Sequence, residues 1–261
     1  MTHIKNNWYV FWQLVQRDLI IYMPEYYNRA LNSIIWSSIT VFIYQYILPQ
    51  AGLTQNFGSL LLAANIASVG FFDTTEVIST ILSDLTGDRA ISYYLTIPIP
   101  QYLIFIQMGL SNAIKGFLGT LPLLPAGMLV LGTLVPFPHF VWWKFLLLMI
   151  IANLFYGFFA LLTTSLTKDI ASMSNLWIRV VFPMWFLGGY QFTWKQLYNA
   201  SPLTAYLDLL NPMIYISEGM RACTIDPQAL PFELCASMII LFTIVFGYIG
   251  TKRFMKRLDC L

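Results

Sequence analysis

Long apolar runs broken by short charged segments leave this chain few folds to adopt. Residues 30–48 hold no charge between Arg29 and Pro49, and further runs cover 57–81, 102–134, 140–162, 170–189 and 232–249. Each is about as long as the ~20 residues with which a helix crosses a hydrocarbon layer. So many runs exceed what one water-soluble core can bury. Of the 261 residues 58% are hydrophobic and 10% charged, against roughly 25% charged in a soluble domain. A membrane β-barrel would need alternating segments of about ten residues, and none is visible. The runs predict an all-α membrane protein, a single domain over residues 1–261 with six transmembrane helices.

The few charges then read as topology. A net charge of +2 gives no basis for a nucleic-acid partner. The basic cluster Lys252, Arg253, Lys256 and Arg257 follows the last run, which places the carboxy terminus in the cytoplasm by the positive-inside rule. Six crossings return the amino terminus to the same side. Arg17, Arg29, Arg89 and Lys168 fall on that side as well, with Lys195 and Arg221 opposite. The first residues lack the apolar core and small-residue cleavage site of a signal peptide, so the amino terminus is expected to be retained. Cys223, Cys235 and Cys260, with His3 and His139, have no metal-ligand spacing.

Between the spans, local patterns mark smaller elements. Trp8, Phe11, Trp12, Val15 and Leu19 recur at helical spacing with Gln13, Arg17 and Asp18 largely elsewhere on the wheel, which predicts an interfacial helix over 7–24. Asp73 and Glu76, one turn apart, either line a polar cleft or mark the interfacial end of the second span. The stretch Ser83 to Pro100 breaks apolar continuity with Asp84, Asp88 and Arg89, recovers through Tyr93, Tyr94 and Leu95, and ends in Pro-Ile-Pro, as a short cytoplasmic helix over 83–98 would. In the 102–134 run the crossing is expected after Lys115, with Pro122 and Pro125 able to kink it. Residues 190–231 carry four prolines and apolar stretches too short to cross, which suits re-entrant or interfacial helices.

Leu210 to Ala222, reading LNPMIYISEGMRA, sits in that connector and carries Asn211, Pro212, Glu218 and Arg221. Together with the interfacial helix, the six spans and the helix ending in Pro-Ile-Pro, it resembles the carboxy-terminal signature of the ABC-2 transporter permeases. The nearest likeness is to bacterial inner-membrane permeases grouped with drug, lipo-oligosaccharide and polysaccharide exporters. The resemblance implies a multi-pass inner-membrane protein that pairs with a second copy of itself, contacts membrane lipid and joins two cytoplasmic ABC ATPase subunits. It also implies an amphipathic, lipid-linked or drug-like cargo. The chain has no GxxxxGK[ST] loop, so ATP and Mg would be held by the partner ATPase and no cofactor by this chain. Carried onto this sequence, ATPase coupling falls on Asp84, Asp88, Arg89, Tyr93, Tyr94 and Leu95, and the family signature on Leu210, Asn211, Pro212, Glu218 and Arg221. Arg179 lies deep in the fifth run, and either snorkels to the cytoplasmic boundary or pairs with an acid such as Asp73 or Glu76, holding the bundle together, or faces a cargo pathway. Trp185 and Tyr190, with Phe192 and Trp194, would gate that path or form an interfacial aromatic belt. The competing readings are a secondary transporter or channel, a membrane-embedded enzyme, and a non-transporting assembly factor.

Overall fold

The computed structural model of the chain describes residues 2–52, 57–86, 96, 97, 99–133, 137–226 and 229–258, with no strand among them. The elements are α1 (Thr2–Phe42), α2 (Phe57–Thr86), α3 (Gln101–Thr120), α4 (Leu123–Leu131), α5 (Trp142–Leu166), α6 (Met173–Leu176), α7 (Phe182–Leu187), α8 (Trp194–Ala200), α9 (Pro202–Asp208), α10 (Pro212–Thr224) and α11 (Phe232–Leu258). Six helical rods among them are long and apolar enough to cross a membrane, in keeping with the six apolar runs. Three are composite: the first, Asn7–Ala51, which continues α1 through a π turn and a 3-10 turn, α3 with α4, and the fifth span, Ile170–Leu187, which joins α6 to α7.

Each interruption of the α-helical pattern in these rods has a proline beside it. Pro122 separates α3 from α4. Single π turns at Ile43–Ile47 and Trp177–Val181 come just before Pro49 and Pro183. Proline offers no N–H to the carbonyl four residues back and crowds it. Both turns use a wider ring instead: Leu48 N–H donates to the Ile43 carbonyl and Phe182 N–H to that of Trp177.

One predicted boundary is missing. Residues 7–24 do not form a separate interfacial helix, because α1 runs unbroken over 41 residues with Pro24 inside it. At 1.5 Å per residue that is about 60 Å, twice the hydrocarbon thickness. Tertiary contacts hold the charged half of α1 upright against α3: Tyr22 and Tyr26 hydroxyls reach the Lys115 and Leu118 carbonyls, and Gln107 Nε2 donates to Asp18 at 2.7 Å.

At that level a belt of charge crosses the bundle. Arg29 pairs with Glu76 of α2 and with Glu25 of its own helix. The Tyr22 ring lies 5.4 Å from the Arg29 guanidinium and 5.9 Å from the Lys115 ammonium. Beyond the belt, residues 30–51, 57–72 and 116–131 hold no charge. Glu76 lies just past the charge-free stretch of α2, while Asp73, one turn earlier, lines a small interior cavity with Asn112, Asn153 and Tyr156.

The core of the bundle is α2 and α5, with α5 packed against α11, α3, α2 and α10. Close approach depends on glycine: a Cβ on Gly157 would stand 2.2 Å from the Gly109 carbonyl oxygen, so α3 and α5 meet backbone to backbone.

Candidate functional site

The connector between the fifth and last spans folds back into the bundle. α10 begins where the Tyr156 hydroxyl, at the middle of α5, meets Met213 Sδ at 3.6 Å. It ends where the Thr224 and Cys223 carbonyls accept from His139 and Val141 N–H, beside the start of α5. The tip of this re-entrant hairpin is therefore Asn211-Pro212, at the depth of the middle of α5. Non-helical backbone at that depth must find its own hydrogen bonds. Asn211 supplies them: Oδ1 caps Met213 N–H at 3.1 Å, while Nδ2 donates to the Met184 carbonyl at 2.9 Å and to Asp208 at 3.2 Å. Pro212 takes the first helical position, where no N–H is needed. Leu210, by contrast, is exposed.

Glu218 and Arg221 close the other end of the hairpin. They pair at 2.8 Å with both side chains 2% exposed. Glu218 also accepts from the N–H groups of Trp194 at 2.9 Å and Leu230 at 3.4 Å, and Arg221 donates to the Gly189 carbonyl. Gly189 sits at φ +74°, where a side chain would be strained. Burial draws the Arg221 pKa down from its ordinary value, and the carboxylate beside it opposes that shift. The pair thus ties together α10, the exit of the fifth span, the start of α8 and the approach to α11. This is a structural clasp, closed on protein partners.

The three side chains assigned to a pathway are separated by the fold. Trp185 and Tyr190 lie in the core, their rings 4.6 Å apart, and the Tyr190 hydroxyl donates to Asn65 at 2.7 Å. Asn65 in turn donates to Ser37 and Thr40, joining α1, α2 and the end of the fifth span. Buried in this way, the Trp185 and Tyr190 rings pack against protein. Arg179 is exposed and has no ion pair or hydrogen bond among the described residues. Trp177 stacks on Phe72, and Arg179 lies two residues further into the charge-free layer. Glu76, one of the acids within sequence expectation, is taken by Arg29.

Of the coupling residues, Asp84 lies on the last turn of α2. Asp88, Arg89, Tyr93, Tyr94 and Leu95 fall outside the described residues. The sequence reading missed Asn65, Asn153 and Asp208, polar groups buried in apolar surroundings. Their only signal was a lone polar residue inside a hydrophobic run. The chain matches no family model, curated protein or solved structure.

Proposed function

We propose that this chain is the membrane-spanning subunit of an ATP-binding-cassette exporter of the ABC-2 type. It works as a pair of copies in the bacterial inner membrane, with both termini cytoplasmic. A separate ATPase, bound at the segment after α2, holds ATP and Mg. The cargo is amphipathic, lipid-linked or drug-like.

The observation that carries this reading is Arg179. A guanidinium facing lipid inside an apolar span costs at least about 2.5 kcal/mol. Here it has no ion-pair partner among the described residues, on a span that is hardly covered: 11% of the apolar window of the fifth span and of α1 is buried, against 72% for α2 and 67% for α5. Both uncovered spans flank α2, linked through Asn65 and Tyr190. A second copy against these spans would remove Arg179 from lipid and leave a polar group between protomers, where an anionic cargo headgroup can meet its planar fork. The re-entrant hairpin supports the same reading, because it lies beside that path as the resemblance implies.

The test is an Arg179→Gln variant of the full complex, purified with its ATPase. Cargo-stimulated ATP hydrolysis should be lost while the melting temperature stays unchanged. Lost stability with normal stimulation of the surviving complex would make Arg179 structural. Transport by the chain with no ATPase bound would overturn the exporter reading in favour of a secondary transporter.

A further inference from the structure

Between α5, the fifth span and α11 runs an apolar groove of about 570 Å³. Its ceiling is the re-entrant tip, Asn211 and Pro212, and its walls include Leu162, Pro183 and Phe246. It descends along α5 as far as Leu166. From Tyr156, at the depth of the tip, to Leu166 is about 15 Å of helix, or half the roughly 30 Å hydrocarbon layer. The groove thus occupies one leaflet, the one on the side of the carboxy terminus.

Leu166 also lines a second cavity, of about 730 Å³, that opens where the groove ends. Its charged walls are Lys168, Arg253, Lys256 and Arg257, with no acid among them. Arg257 is already engaged: its guanidinium donates to the Thr164, Thr167 and Lys168 carbonyls at 2.9, 2.5 and 2.7 Å. That clamp caps the last turn of α5 and fixes Lys168 beside α11. Lys168, Arg253 and Lys256 are exposed and form no ion pair among the described residues. The adjacent Asp169 carboxylate is occupied as a cap on Ser172 N–H at 2.8 Å.

We infer that groove and cavity together form a binding site for one anionic phospholipid of that leaflet. The phosphodiester sits among the three free cations, and one acyl chain climbs the groove to the re-entrant tip. Three observations select this occupant: a cationic mouth with no acid among the described residues that line it, an apolar continuation one leaflet deep, and the shared wall at Leu166. Basic pockets between spanning helices recognise anionic headgroups by this chemistry. The site differs from the Arg179 face, which the groove does not include. Because it lies on the single chain, it can be tested without cargo or ATPase.

The experiment uses the full chain in a neutral detergent, titrated with phosphatidylglycerol, phosphatidylcholine or inorganic phosphate, with thermal stability and native mass spectrometry as readouts. Phosphatidylglycerol should raise the melting temperature and stay bound, and phosphatidylcholine should do so far less. In the triple variant Lys168→Gln, Arg253→Gln, Lys256→Gln, phosphatidylglycerol should bind about a hundredfold more weakly, as expected on losing three cations worth roughly 1 kcal/mol each. These side chains are exposed, so the unliganded melting temperature should hold. A second variant, Leu166→Trp, narrows the junction and should weaken the lipid without touching the charges. Equal stabilisation by both lipids, unchanged affinity in the triple variant, or full stabilisation by inorganic phosphate alone would each overturn the site.

Discussion

Arg221 shows how much one buried charge depends on its neighbours. The guanidinium meets Glu218, and Glu218 holds two further backbone N–H groups, so the pair is closed except at Arg221 Nε. An Arg221→Met variant strands the buried Glu218 carboxylate without its cationic partner. It should lower stability by about 3–5 kcal/mol, the range for a buried pair broken on one side. Adding Glu218→Met should recover part of that loss. Thermal unfolding in detergent measures both, and a loss below about 1 kcal/mol in the single variant would disprove the clasp. The i, i+3 spacing made this pairing legible in the sequence, because a helix brings such residues together whatever surrounds them. Nothing local showed that Gly189 and Trp194 would complete it. Arg179 illustrates the converse. Its depth in an apolar run was readable, but its isolation was decided by Arg29, which claims Glu76 from 47 positions away.

Helices here are set by hydrocarbon length, and their ends by packing. Each apolar run formed a helix, as backbone groups removed from water require. The end of α1 was misplaced because its charged half has an amphipathic pattern that suits a membrane surface equally well. Gln107 and the Lys115 and Leu118 carbonyls, all on α3, hold it against the bundle, together with the packing of Leu14 on Ile104. The register between α3 and α5 rests on glycine. In Gly157→Ala the new methyl would meet the Gly109 carbonyl oxygen at 2.2 Å and Ala113 N at 3.0 Å, both backbone atoms that cannot swing aside. Stability should fall by at least the ~1–3 kcal/mol typical of overpacking. By comparison, Gly119→Ala would meet only Asp73 Oδ2 at 3.6 Å, and should be nearly silent. Equal unfolding temperatures for the two variants would refute this contact as the pivot.

Across the whole molecule, the proposed orientation rests on the basic residues after the last span. With Cys260 replaced by Ser, and Cys223 and Cys235 buried, single cysteines at Asn199 and Lys256 should label from opposite sides, Asn199→Cys from outside and Lys256→Cys from inside. Labelling of both from one face would reverse part of the topology. The sequence by itself determined that the chain is helical, that six of its segments suit a membrane, and that the Asn-Pro segment breaks the path between the last two. Those properties reside in single runs of residues, where length, charge and proline act locally. The tertiary structure alone decided that the Asn-Pro turn is driven to mid-depth beside Tyr156, that Trp185 and Tyr190 are interior, and that α1 and the fifth span remain uncovered with Arg179 unpaired. Such outcomes depend on which distant polar groups and backbones meet, and in hydrocarbon, where no water can satisfy a stray charge or carbonyl, that choice belongs to the bundle as a whole.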